Sequence, residues 1–164
     1  DLAAFNRFLE KEKLMLVTKV HSKSKLKKEF QEIDCSNIWY ADAQIDVYSF
    51  LGEIDLLITD YSSVYTDYML LDRPVVAFWY DWAEYSANTR ACYITQEEYM
   101  PEQKAETMEE LMSAVAGALA NDAHLTARHV SRQRMFAKTD GRSSQRLFQK
   151  ICRLFDVKAK EGKL

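Results

Sequence analysis

Residues 55–63 read Asp55-Leu-Leu-Ile-Thr-Asp-Tyr-Ser-Ser63, and residues 74–79 read Pro74-Val-Val-Ala-Phe-Trp79. Each opens on or contains a continuous apolar run of strand length, and the residues between them, Ser63 to Leu71, have the composition of a helix. Short apolar strands alternating with helix-length segments are the pattern of βαβ units around a parallel sheet, whose strands are covered on both faces. Working outward, Leu14 to Val20 and Asn37 to Ala41 read as two earlier strands. Asp55 to Thr59 is then the third, and Pro74 to Trp79 the fourth, with its proline tolerable only at the start. Helices are predicted over Ala3 to Lys13, Lys23 to Phe30, Asp46 to Glu53 and Ser63 to Leu71. Asp81 to Tyr99 is aromatic and acidic without a clear period, and from Thr107 the chain reads as helical nearly to its end. The expected fold class is α/β, a Rossmann-like parallel sheet with helices on both faces.

Composition narrows the function classes. The 164 residues, 48% hydrophobic and 29% charged, fit one globular domain. The longest apolar runs, Pro74 to Trp79 and Leu111 to Ala120, fall well short of the roughly 20 residues needed to span a bilayer. The sequence begins Asp1-Leu2-Ala3, without Met or a signal pattern, and is read as a piece of a longer chain. Cys35, Cys92 and Cys152 form no CxxC and are expected as buried thiols in a reducing compartment, with no metal site and no cofactor. Residues 1–121 carry 11 Lys and Arg against 21 Asp and Glu, whereas residues 122–164 carry 11 against 4. So acidic a body argues against a nucleic-acid partner, which would need clustered cations. The four glycines, at 52, 117, 141 and 162, cannot assemble GxGxxG or GxxxxGK[ST], so any phosphate must be held by helix N-termini and side chains.

The run Asp60-Tyr61-Ser62-Ser63 places two small hydroxyls at the carboxyl edge of a parallel sheet, where open α/β sheets bind ligands. Ser62 and Ser63 can donate to a diphosphate. Asp67, four residues after Ser63 on the same helical face, would repel phosphate but accept from a ribose or glycerol hydroxyl. Asp60, Ser62 and Ser63 also suffice as a plain helix cap, and spacing alone leaves both readings open.

The longer string Asp55-Leu-Leu-Ile-Thr-Asp-Tyr-Ser-Ser-Val-Tyr-Thr-Asp-Tyr-Met-Leu-Leu-Asp-Arg-Pro-Val75 closely resembles the signature of the CDP-glycerol glycerophosphotransferases, which build teichoic-acid-like and capsular polymers. Two further stretches share the resemblance. Leu16-Val-Thr-Lys-Val-His21 is similar to a family strand followed by His-Pro, with Ser22 in place of the proline. Thr139-Asp-Gly-Arg-Ser-Ser-Gln-Arg146 is similar to the family's Asp-Gly-x-Ala-Ser-x-Arg, with Ser143 where Ala is usual, and reads physically as a turn and helix cap.

The resemblance implies a fold like the C-terminal, nucleotide-holding half of a GT-B glycosyltransferase, with residues 1–164 as a single nucleotide-binding domain and the N-terminal acceptor domain absent. It implies substrate-binding roles for Lys19, Val20, His21, Ser62, Ser63 and Asp67, with His21 also the catalytic candidate; Tyr61 and Tyr65 match positions without an assigned role. The implied reaction is attack by an acceptor hydroxyl on the β-phosphorus of CDP-glycerol, or of a related CDP-alditol, releasing CMP. The acceptor would be a polymer or lipid-linked chain. The implied place is the cytoplasmic face of the bacterial membrane, and this polypeptide alone is expected to be inactive. Two rival readings remain: a nucleotide-sugar-binding half of a GT-B glycosyltransferase, and a non-catalytic Rossmann-like interaction domain. Ser-Ser in place of a Gly-rich loop, with Asp67 as the carboxylate, favours the glycerophosphotransferase.

In the last predicted helix Arg142, Arg146, Lys150 and Arg153 recur at helical spacing opposite Leu147, Phe148, Ile151, Leu154 and Phe155. Such a helix is expected to dock on the core with a solvated cationic face, the alternative being that it lies against an anionic membrane. His124 and His129 are expected at the surface.

Overall fold

The computed structural model of the chain describes residues 2–19, 35–42, 44–88 and 95–155. The first helix, α1 (Leu2–Glu12), leads into β1 (Leu16–Thr18), and β2 (Ile38–Tyr40) pairs with β1 in parallel. Two 3-10 turns, Val47–Ser49 and Leu51–Glu53, precede β3 (Leu57–Thr59), α2 (Val64–Tyr68) and a further 3-10 turn, Met69–Leu71. Then come β4 (Val75–Phe78), α3 (Trp82–Asn88), α4 (Gln96–Tyr99) and β5 (Gln103–Ala105). Three helices finish the described chain: α5 (Met108–Ala120), α6 (Leu125–Met135) and α7 (Ser143–Leu154).

Every described ladder is parallel, as the α/β reading requires. Leu57 is in register with Val75, and Val76 with Gln103, giving the order β3-β4-β5. The four expected strands do not share one hydrogen-bonded sheet, however: among the described residues β1 and β2 form a separate ladder. Side-chain packing joins the two, since Leu16 and Ile38 lie in the same apolar cluster as Ile58 and Val76.

Alternation along β4 decides where the cores sit. Val75, Ala77 and Trp79 face one cluster with Leu51, Tyr65, Tyr68, Met69 and Met100, while Val76 faces the other with Phe5, Leu9, Ile38, Leu111 and Val115. A strand's side chains point alternately to opposite faces, so a continuous apolar run needs cover on both. Here α2 covers one face, and α1 and α5 the other. Burying Val75 and Val76 contributes about 1.5–3 kcal/mol each relative to leaving them exposed. A capping box starts α5: Thr107 Oγ1 accepts from the Glu110 backbone N–H at 3.2 Å, and the Glu110 carboxylate accepts from the Thr107 N–H at 3.2 Å.

Several expected elements come out differently. Asp46 to Glu53 forms two 3-10 turns rather than one helix; Asp46 caps the first, and Phe50, outside helical geometry at φ −128°, separates them. The helix from Ser63 tightens after Tyr68 and stops where Asp72 turns left-handed at φ 53°, two residues before a proline that could not continue it. Cys35 and Cys152 are half-buried rather than buried. The expected helix Lys23 to Phe30 and Cys92 lie outside the described residues.

The last helix forms, but core docking is corrected. Leu154 is 69% exposed and Phe155 73%, and no described residue of α7 is buried, so its apolar face does not pack into either core cluster.

Candidate functional site

The chain turns from β3 into α2 through Thr59, which is buried, and Asp60, whose carboxylate accepts from the Ser62 backbone N–H at 2.9 Å. That bond closes a short side-chain turn and leaves Ser62 and Ser63 exposed at the carboxyl end of β3. Ser62 Oγ accepts from the Val64 N–H at 3.5 Å, long enough to contribute little, and Ser63 makes no side-chain cap. Neither hydroxyl is committed to holding the helix.

Asp67, one turn further on, is half-buried and accepts at Oδ2 from the Tyr48 hydroxyl at 2.7 Å. This hydrogen bond, and then the carboxylate's charge, push the Tyr48 phenol above its ordinary pKa. Lys19 lies just past β1. Its ammonium donates to the carbonyl oxygens of Asp42 at 2.5 Å and Ile45 at 2.6 Å. Asp42 and Ile45 are therefore tied to Lys19, and Tyr48 to Asp67. Val20 and His21 lie outside the described residues.

The two unassigned tyrosines have structural partners. Tyr61 donates to Asp81 at 2.9 Å and stacks on Tyr85, with ring centroids 3.9 Å apart, beside Trp79 and Trp82. Burial, then the Asp81 hydrogen bond, suppress its ionisation. Tyr65 is fully buried and donates to Glu102 at 3.1 Å. Glu102 in turn pairs with Arg128, which also holds Asp122 at 2.7 Å. Arg73 donates to the carbonyls of Gly52 at 2.7 Å and Ile54 at 2.6 Å, and Tyr68 to Ile54 at 2.8 Å, fixing the turn ahead of β3.

The stretch from Thr139 forms a self-contained turn ahead of α7 and puts no side-chain cap on that helix. Asp140 accepts from the Arg142 backbone N–H at 3.1 Å and from Arg146 Nη1 at 2.8 and 2.9 Å, with Gly141 left-handed at φ 70° between them. Of the two other histidines, His124 bonds the Pro101 carbonyl at 2.8 Å, and His129 lies 3.0 Å from Asp72, which also accepts from Arg132. Both are half-buried. No cluster of potential metal ligands occurs among the described residues. An open groove of about 770 Å³ between β5 and α5 reaches Val75 and Gln103, at the amino ends of the strands and so opposite the serines.

The structure thus brings Ser62, Ser63 and the oriented Asp67 carboxylate onto one turn and helix, a set suited to a hydroxylated, phosphate-bearing ligand, while the described contacts of the Lys19 ammonium are the carbonyls of Asp42 and Ile45. Sequence reasoning missed Tyr48, whose partner lies 19 residues away and leaves no spacing signal.

The sequence was compared with known families and structures. The family model described as CDP-Glycerol:Poly(glycerophosphate) glycerophosphotransferase matches residues 1–153. The chain belongs to this glycerophosphotransferase family. Among curated relatives, the teichoic acid glycerol-phosphate transferase of Staphylococcus aureus is 34% identical over 99 residues, covering 59% of this chain and 25% of the relative. The teichoic acid ribitol-phosphate polymerase TarK of the same species is 28% identical over 160 residues, covering 93% and 29%. The chain therefore spans less than a third of the length of these curated relatives. The fold is that of the wall teichoic acid polymerase TagF: a variant of TagF superposes with a TM-score of 0.71 at 22% identity, over 95% of this chain and 38% of TagF. The same fold match holds for TagF soaked with CDPG, at a TM-score of 0.65.

Proposed function

We propose that this chain is the nucleotide-donor-binding domain of a longer, GT-B-like glycerophosphotransferase. It binds CDP-glycerol, or another CDP-alditol, and a second domain supplies the polymer or lipid-linked acceptor. The observation that carries the proposal is the strand–turn–helix of residues 57–68, which presents Ser62, Ser63 and Asp67 together at the carboxyl edge of β3. Ser62 and Ser63 donate to the diphosphate and Asp67 accepts from a ribose or alditol hydroxyl, while the family resemblance assigns Lys19, Val20 and His21 to the donor phosphates. Lys19 has one N–H left beyond its two carbonyl partners.

The reaction is in-line displacement at the β-phosphorus: the acceptor oxygen forms a new P–O bond, the bond to CMP breaks, and the acceptor proton passes to a base. Catalysis then rests on alignment and on charge stabilisation, for which Lys19, His21 (protonated or hydrogen-bonding) and the helix N-terminus behind Ser62 serve. The base belongs to the second domain, so the 164 residues bind donor without turning it over. No described helix is long and apolar enough to cross a membrane, and the enzyme works at the cytoplasmic membrane face with α7 as its contact.

Thermal-shift titrations with CMP, CDP-glycerol, CDP-ribitol and a UDP-sugar test the reading. Stabilisation by the cytidine compounds alone is expected. Preference for the UDP-sugar, or no response to any of the four, would overturn it.

A further inference from the structure

We propose that Tyr48 is a positioning residue of the nucleotide-donor site, its hydroxyl holding one oxygen of Asp67 so that the other meets a hydroxyl of the bound CDP-alditol. The proposal rests on the donor-site reading above and extends it to a residue outside all three family-like stretches.

The geometry is specific. Tyr48 Oη lies 2.7 Å from Asp67 Oδ2, and Oδ1 receives no hydrogen bond from any described residue. A phenol can only donate to a carboxylate, and an ionised carboxylate accepts on both oxygens, so one bond orients the group without filling it. Being neutral, the phenol fixes Asp67 without adding a cation that would draw the diphosphate onto it.

The backbone under Tyr48 is held in place. Asp46 Oδ1 accepts from the Tyr48 N–H at 3.1 Å, Ser49 Oγ donates to the Asp46 carbonyl at 2.7 Å, and Val47 packs against the core. Lys19 clamps the preceding residues through the Asp42 and Ile45 carbonyls. The ring itself is 59% exposed, so packing does not explain a tyrosine here. Nor does stability, since an exposed hydrogen bond contributes little to folding. What remains is orientation of Asp67 by a pinned turn whose other end is fastened to Lys19.

Titration calorimetry of the 164-residue chain with CDP-glycerol and with CMP tests this in a double-mutant cycle. Tyr48→Phe is expected to leave the melting temperature unchanged and to raise the CDP-glycerol Kd about fivefold to tenfold, the loss of one oriented hydrogen bond. Asp67→Asn raises it comparably, and the double variant binds no more weakly than Asp67→Asn. An equal loss with CMP assigns the contacted hydroxyl to the ribose; a loss with CDP-glycerol alone assigns it to the alditol. Unchanged affinity in Tyr48→Phe, or additive losses in the double variant, would overturn the role of Tyr48 while leaving the donor site standing. Failure of the unmodified chain to bind either nucleotide would overturn both.

Discussion

Arg128 and Glu102 form a forked ion pair in the interior, with Nε to Oε1 at 2.7 Å, Nη2 to Oε2 at 2.8 Å and both side chains fully buried. Burial works against the guanidinium, yet the hydrogen bonds it donates to Glu102 and Asp122, and their charges, outweigh it and raise the Arg128 pKa further. The pair joins α6 to the residues before β5, and through the Tyr65 hydroxyl it reaches α2. Arg128→Met leaves two carboxylates without their cation, one of them buried, and is expected to cost about 3–5 kcal/mol. Urea denaturation measures it; replacing Glu102 by Leu in the same chain should restore much of the loss.

Tyr65→Phe removes one donor to that network and keeps the ring. A hydrogen bond to a charged group contributes about 1.5–3 kcal/mol, and a loss in that range is expected by the same measurement. No loss would mean that Glu102 is satisfied by Arg128 alone.

Asp122 makes the network sensitive to acid. Burial pushes its pKa up, but the hydrogen bond and charge of Arg128, with the His124 backbone N–H, bring it below the ordinary aspartate value. A depressed folded pKa means stability present above the unfolded pKa of about 3.9 and lost as pH falls through the folded value. Thermal midpoints should therefore hold steady down to about pH 4 and fall below it. Asp122→Asn should lower the midpoint at neutral pH and flatten the acid limb; an unchanged limb would remove Asp122 from the account.

The proposed nucleotide-donor site predicts unequal effects in an enzyme that retains a second domain. His21→Ala is expected to lower kcat/KM for CDP-glycerol about tenfold to a hundredfold, the loss of a donor to charged oxygen. Asp67→Asn should raise the donor KM more than it lowers kcat, and Ser62→Ala should be milder than either. Wild-type kinetics for both His21→Ala and Asp67→Asn would assign these residues to structure.

The exposed face of α7 predicts binding to lipid. Leu147, Phe148, Ile151, Leu154 and Phe155 lie opposite Arg142, Arg146, Lys150 and Arg153, the arrangement of a helix lying in a membrane interface. Co-sedimentation should favour anionic over neutral vesicles and weaken with salt, and Leu154→Asp should abolish it. Equal binding to both vesicle types would count against it.

What could be read in the sequence follows from how local the cause is. Val75 to Phe78 is recognisable because burial on both faces demands an unbroken apolar run. The turn at Ser62 is equally local, since a strand, an aspartate and two serines compel it. β5 was not anticipated because Gln103-Lys104-Ala105 is a polar edge strand of three residues with no apolar alternation. Arg128 reads as one more charge on a basic helix, and only the fold brings Glu102 beneath it, 26 residues away. Asp67 is legible from its spacing to Ser63, but its partner Tyr48, 19 residues earlier, is hidden for the same reason as Glu102. The docking of α7 was misjudged because amphipathic spacing reveals an apolar face but not what covers it.

Arg73 has a consequence for how relatives of this chain diverge. Its guanidinium is used on two carbonyls, and its neighbour Asp72 is engaged by Arg132, so Asp72-Arg73-Pro74 has a scaffolding job and Ser62, Ser63 and Asp67 carry the proposed chemistry. A descendant released from catalysis would drift at the serines and the aspartate while keeping Arg73, and would still score as kin: a pseudoenzyme recognisable by which half of the signature it has lost.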